Sequence, residues 1–384
     1  MRIGIDVRCF AQGKNTGVEE YTRNALIAIL EMDHDNEYVL FFNAWHKQKI
    51  DFSWIVQYKN VIIKQFAIPN KLLNLSLWLL HYPKLDKLCG GVDLFFMPNN
   101  NFCALSDDVI FLLNVHDLSF EHYKNSLSFK RRLWHFFVNP RFLVKRAQHI
   151  FAVSKATKID LCETYGVVDT KVSSILNGMT SVVGKYNRNN IDLVSLKEKY
   201  SLPYRFILYF GTIEPRKNII NIIKAFDDLH SRDKSINHKL VIAGACGWKG
   251  EKIFKAVSNA KYSKDIIVIE DIPENEKEML YTLSSIFIYP SFFEGFGFPP
   301  LEAIACSVPT ITSNTTSLPE VVKDKAIMVN PMRSDEIVEA LMTIIVDKNF
   351  QEQLIQNSKD YALEFNWKIF ARKFKKVLSS YQEV

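Results

Sequence analysis

Several features are missing from this 384-residue sequence, and each absence removes a class of protein. There is no low-complexity tract and no short repeat, so neither extended disorder nor a solenoid fits. The longest apolar stretch, Lys71 to Leu80, is interrupted by Asn74 and Ser76. It is about half of the ~20 residues that span a bilayer, and a buried helix is the expectation. The start, Met1-Arg-Ile-Gly-Ile-Asp6, has no apolar region of signal-peptide length, and a cytoplasmic location is expected. The six cysteines contain no C-x-x-C pair, which suits reduced core thiols rather than zinc ligands or a disulfide frame. G-x-G-x-x-G and Walker A patterns are both absent, so nothing supports a nicotinamide cofactor or a P-loop, and no nucleic-acid-binding module is recognisable.

Acidic residues are also missing between Glu121 and Asp160, where nine lysines and arginines lie. The chain's net charge of +6 is therefore local, and the remainder is net negative. Such a basic face says more about a partner than the overall charge does.

Short β-branched and aromatic runs alternate with longer amphipathic segments, the pattern of α/β units around parallel sheets. Strands are expected at 3–7, 38–42, 61–66, 93–97, 109–115, 149–153 and 172–176, then at 206–210, 240–243, 266–269, 286–289 and 310–312. Several are apolar on both faces, as strands covered by helices on each side must be. A polar stretch from Asn177 to about Pro203 separates the two sets, giving a first domain over 1–190 and a second over 191–365. The last segment, 366–384, has Asn366 as a helix N-cap and Trp367, Phe370, Phe374, Val377 and Tyr381 on one stripe. Pattern alone leaves open whether it closes the second domain or packs back on the first; the second alternative is adopted.

Ligands of open α/β sheets bind at the carboxyl ends of the strands. Gly211-Thr-Ile-Glu-Pro-Arg-Lys-Asn218 follows one strand and opens a helix, so Arg216 and Lys217 sit where backbone N–H groups already favour an anion. Taken alone they also fit an ordinary surface pair; as a clamp they suit a leaving diphosphate. Ser291-Phe-Phe-Glu-Gly-Phe-Gly-Phe-Pro-Pro-Leu-Glu302 follows another strand. Pro299 and Pro300 start a helix that carries Glu302 in its first turns, while Gly295 and Gly297 let the backbone approach a ligand. Glu302 can accept both hydroxyls of a ribose, which leaves Glu294 free to face a sugar. In the first domain, His116 and Asp117 end a strand, and the loop from Ala11 to Tyr21 carries Gly13 and Gly17 between strand and helix.

The Glu294-x7-Glu302 spacing, with Gly-Thr-Ile-Glu-Pro-Arg-Lys-Asn upstream, resembles the retaining GT-B glycosyltransferases of family 4, and within them the bacterial mannosyltransferases of O-antigen and capsule assembly. Gly244-Ala-Cys-Gly-Trp248, Asn177-Gly178, Ala152-Val-Ser-Lys155 and Ser317-Leu-Pro-Glu-Val321 fall at the family's landmarks. The resemblance implies an α/β protein of two Rossmann-like domains facing a central cleft. It implies a donor site of Gly211, Arg216, Lys217, Gly244, Ile272, Glu294, Gly295, Phe296, Gly297, Leu301 and Glu302. His116, Glu294, Arg216 and Lys217 carry the chemistry, with Gly17 and Asp117 on the acceptor side. The implied reaction moves mannose from GDP-mannose to a glycan or lipid-linked oligosaccharide in surface polysaccharide synthesis. Alternatives are a UDP-sugar-dependent transferase for glucose or N-acetylglucosamine, a sugar-nucleotide epimerase, or an inactive binding subunit. No D-x-D motif lies among these segments, so no metal and no other cofactor is expected.

The stretch from Phe129 to Arg146 reads as an amphipathic helix broken at Pro140, with Lys130, Arg131, Arg132, Arg141, Lys145 and Arg146 on its flank. A peripheral contact with an anionic inner-membrane surface would use that flank. A core-facing helix with a solvated basic side fits the same pattern.

Overall fold

The computed structural model describes residues 1–12, 17–45, 52–124, 127–179 and 191–382. Residues 180–190, where the sequence places the division between domains, and Gly13 lie outside the described residues. Two compact units emerge: Met1–His122 with Phe129–Gly178 and Asn366–Val384, and Met179–Phe365 with the short segment Tyr123–Ser128.

The first unit is built on seven parallel strands: β1 (Arg2–Asp6), β2 (Glu37–Asn43), β3 (Val61–Phe66), β4 (Leu94–Met97), β5 (Ile110–Val115), β6 (His149–Ala152) and β7 (Val172–Ser174), ordered 3-2-1-4-5-6-7. Its central strands are apolar at nearly every position and buried on both faces, because helices cover both sides. Among those helices are α1 (Gly17–Met32), α2 (Asn70–Leu79), α3 (Phe129–Val138) and α4 (Pro140–Arg146). The second unit has six parallel strands: β8 (Phe206–Phe210), β9 (Lys239–Ala243), β10 (Ile266–Ile269), β11 (Ile286–Tyr289), β12 (Thr310–Ser313) and β13 (Ile327–Val329), ordered 10-9-8-11-12-13. Helices α5 (Ile219–Arg232), α6 (Glu274–Leu283) and α7 (Phe298–Ala305) flank its site. In both units the strand order reverses beside the first strand, and β1 and β8 mark the switch points where open α/β sheets bind ligands.

The final helix, α8 (Trp367–Ser379), belongs to the first unit and lies along α1. Asn366 caps it, its side chain accepting the Lys368 N–H at 2.8 Å. Trp367, Phe370 and Phe374 are buried against Tyr21, Phe96 and Phe151. Leu378 completes the stripe, whereas Val377 and Tyr381, expected on it, are only partly covered. The chain leaves this unit at Gly178, and a Cβ there would stand 2.3 Å from the Trp367 nitrogen.

Two expectations from the sequence need correction. Helix α2 forms where the Lys71–Leu80 run predicts one, but it is not a buried helix: Leu73 and Leu77 point inward, while Leu72, Leu75, Leu79 and Leu80 are exposed. Strand β13 is missing from the sequence reading, because three residues on a sheet edge carry too little pattern to register.

Candidate functional site

In the second unit the site grows from the ends of β8, β9 and β11. Beyond β8 and β9 the ladder continues for one more residue, with Gly211 N–H bonded to Ala243 O at 3.0 Å and Gly244 N–H to Ile269 O at 2.9 Å. Gly244 has φ of +133°, and a Cβ on it would lie 2.2 Å from the Gly211 carbonyl oxygen. Only glycine permits this approach of two strand ends.

After β8 the chain makes a short turn through Pro215–Lys217 and enters α5, with Asn218 at φ +63° between them. The Asn218 side chain donates to Pro290 O at 3.0 Å and Pro331 O at 2.6 Å, which ties this turn to the loops after β11 and β13. Lys217 is buried as a result, and its Nζ donates to Tyr289 Oη and to Glu294 Oε1, both at 2.6 Å. Arg216 donates through one terminal nitrogen to Phe293 O at 2.5 Å and Glu294 Oε2 at 3.2 Å. Its other face meets Glu214 Oε1 at 2.9 and 3.2 Å. Burial alone would raise the Glu294 pKa, but the charges of Lys217 and Arg216 outweigh it and hold the carboxyl at about 2.

The sequence left Glu294 free to face a sugar. In the structure both of its oxygens are engaged by the two cations, so two lysine and arginine charges meet two carboxylates, Glu214 and Glu294. Thr316 and Ser317 secure the loop: Thr316 Oγ1 accepts from Glu294 N–H at 3.1 Å, and Ser317 Oγ donates to the carbonyls of Glu294 and Phe296 at 3.0 and 2.7 Å.

Glu302 sits in α7 as expected, but with partners of its own. Lys277 Nζ on α6 donates to Oε1 at 2.5 Å and Tyr281 Oη to Oε2 at 2.8 Å. Glu214, Lys277, Tyr281 and Tyr289 escaped the sequence reading. Glu214 shares the Arg216 loop and Tyr289 ends the strand before the Glu294 loop, positions that could have flagged both; Lys277 and Tyr281 sit mid-helix with no local signal. Gly295 and Gly297 line the same loop, Gly297 with φ of +111°. Phe296 packs on Phe298 and Phe365, Ile272 is half-buried after β10, and Leu301 is fully buried in packing.

In the first unit, His116 follows β5 with its Nε2 3.0 Å from the Pro98 carbonyl oxygen. A carbonyl only accepts, so Nε2 carries the proton and Nδ1 keeps its lone pair. Burial lowers the His116 pKa to about 4, against the opposing influence of Asp117 and the Pro98 carbonyl. The ring is neutral at physiological pH. Tyr21 steadies it, ring to ring at 4.8 Å, while the Tyr21 hydroxyl donates to Asn114 Oδ1 at 2.8 Å. Asp117 Oδ1 accepts the Ser119 N–H at 2.8 Å, and Gly17 opens α1 with open space around it. Of the basic residues, Lys130, Arg131, Arg132, Arg141 and Lys145 are exposed. Arg146 is not part of that face: its guanidinium is drawn inward to Ser106 O at 2.9 Å and Val109 O at 3.4 Å.

Residues 196–361 match the family described as glycosyl transferases group 1. The matched segment contains all six strands of the second unit together with Arg216, Lys217, Glu294 and Glu302. Escherichia coli O-antigen chain mannosyltransferase B is 33% identical over 181 residues, 47% of each chain. The E. coli serotype-specific mannosyltransferase WbdA is 30% identical over 272 residues, 71% of this chain and 32% of that protein. The chain thus spans about half the length of the first relative and a third of the second. A crystal structure of Anabaena HepE in complex with UDP and glucose is 16% identical, with a TM-score of 0.73 over 99% of this chain and 100% of that one. Two Rossmann-like units in one chain give it the GT-B class of fold.

Proposed function

We propose that this chain is a retaining glycosyltransferase that moves mannose from GDP-mannose to a glycan or lipid-linked oligosaccharide during surface polysaccharide synthesis. The observation that carries the reading is the buried cluster of Arg216, Lys217 and Glu294 at the switch point of the segment that matches the group 1 family. A donor diphosphate brings the negative charge that two buried cations can accept, and the carboxylates that hold them now would yield contacts to it. Arg216 and Lys217 then stabilise the diphosphate as it departs, the step in which its charge grows. Glu302 takes the ribose with lone pairs not used by Lys277 and Tyr281, since a carboxylate offers about four acceptor sites. Glu294 orients the transferred sugar. For His116 we propose acceptance of a sugar hydroxyl at its bare Nδ1, as its Nε2 proton is committed to Pro98.

Mannose is favoured by the mannosyltransferase names of relatives about 30% identical. On this reading leaving-group charge is met by the two cations without a metal. The protein works in the cytoplasm, with Lys130, Arg131, Arg132, Arg141 and Lys145 against an anionic membrane surface that presents the acceptor. Incubation with GDP-, UDP- and ADP-sugars, each with and without EDTA, tests the proposal. Mannose transfer or slow hydrolysis of GDP-mannose that persists in EDTA is expected. Turnover of UDP-sugars alone would overturn the donor, isomerisation without transfer would indicate an epimerase, and activity abolished by EDTA and restored by magnesium would overturn the metal-free mechanism.

A further inference from the structure

Helices α2 and α3 each leave an apolar stripe outside; α2 buries Leu73 and Leu77, and α3 buries Val138 with Trp134, His135 and Phe137 half-covered. On α2 the outward residues are Leu72, Leu75 and Leu79. On α3 the outward stripe is Phe129, Leu133 and Phe136. Both stripes follow helical spacing across two turns, and their six side chains are between 43% and 77% exposed. Scattered exposed leucines are ordinary, but two parallel patterns on neighbouring helices are not. The helices are joined where Trp78 meets Phe137 edge to face, ring centres 4.6 Å apart, so the stripes belong to one surface.

Charge decides what covers that surface. Neither helix contains an aspartate or glutamate, while Lys71, Lys130 and Arg132 are exposed beside the stripes. A second copy of the chain docked by two-fold symmetry would set the same cations against each other. A bilayer bearing anionic headgroups meets both demands, with acyl chains for the leucines and phenylalanines and phosphates for the cations.

We propose that the outward faces of α2 and α3 form one interfacial docking surface whose apolar side chains enter an anionic bilayer. The proposal rests on the reading of the basic stretch as a membrane contact and deepens it: binding is by insertion through α2 as well as by charge. No helix among the described residues is long and apolar enough to cross a membrane.

The test is sedimentation of the full chain with vesicles of phosphatidylcholine, with and without phosphatidylglycerol. Three proteins are compared: the wild type, the triple variant Leu72→Ser/Leu75→Ser/Leu79→Ser, and the double variant Phe129→Ser/Phe136→Ser. All five substituted positions are exposed, and circular dichroism with thermal melting establishes that each variant folds. The wild type is expected to bind the anionic vesicles and to keep part of that binding in about 1 M salt, where screening reaches down to ~3 Å. Each variant should lose the salt-resistant part, with partitioning weakened at least about tenfold. Binding that salt abolishes and that both variants retain would overturn the insertion and leave the basic-stretch reading standing. No binding to either vesicle would overturn both. Concentration-dependent dimerisation in light scattering, lost in the triple variant and without vesicle binding, would make the face a self-interface and overturn the proposal.

Discussion

Lys217 Nζ and Glu294 Oε1 lie 2.6 Å apart in the buried centre of the second unit, and Arg216 reaches the other oxygen of the same carboxylate at 3.2 Å. Removing one cation leaves a buried carboxylate with half its compensation. Lys217→Met should cost about 3 kcal/mol in urea unfolding. Transfer should fall by roughly 10²- to 10³-fold in the fraction that remains folded, the scale of losing one preorganised charge partner. Near-normal turnover in the purified variant would remove Lys217 from the mechanism.

Acid stability reports on the same pair. The Glu294 carboxyl is held at about 2, below its ordinary 4.5. A depressed carboxyl adds stability that is complete above its ordinary value and is lost as the pH falls towards the folded one. The wild type should therefore lose more stability than Glu294→Gln between about pH 4.5 and 2. Parallel acid limbs for the two proteins would show that the pairing does not hold in solution.

Glu302 offers a separate handle, because Lys277 and Tyr281 each hold one of its carboxylate oxygens. Lys277→Met and Tyr281→Phe should raise the donor KM about tenfold, the worth of one hydrogen bond to a charged group, with kcat little changed. A loss confined to kcat would argue against ribose binding by Glu302.

His116 should titrate near 4 by nuclear magnetic resonance, its signal assigned by disappearance in His116→Gln. Because the folded pKa is lowered, the neutral buried ring favours the fold fully above about 6.5, and this contribution is lost as the pH falls towards 4. The pH profile of kcat should carry no bend from this residue near 6.5. A midpoint above 6 would mean that the ring is solvated and not held by Pro98 and Tyr21.

Gly178→Ala places a Cβ 2.3 Å from the backbone nitrogen of Trp367, and backbone cannot yield as a flexible side chain does. Destabilisation of about 1–3 kcal/mol is expected, read as a lowered melting temperature. Unchanged melting would mean that α8 does not dock as closely as described.

Twelve of the thirteen strands among the described residues were legible as short runs between polar turns, most of them apolar and buried on both faces, although β3 is only partly covered; β13 is the exception. The loop positions of Arg216, Lys217 and Glu294, and the place of Glu302 early in a helix, were legible from strand-then-helix order. What their side chains touch was not. Tyr289 lies 72 residues from Lys217 and Lys277 lies 25 from Glu302, and a single sequence contains no signal that pairs them. Helix α2 shows a different limit: leucine on nearly every side predicts a helix but not which side faces out.

The first unit takes its last helix from beyond the second, leaving at Gly178 and resuming at Asn366. During synthesis the ribosome therefore delivers every strand of the β8–β13 sheet before the piece that covers Tyr21, Phe96 and Phe151. A nascent chain stalled before Asn366 would display that aromatic surface bare, a target for chaperones and proteases. Completion of the first unit's sheet thus waits on a helix made only after the second unit, a built-in check on chains that stop short of it.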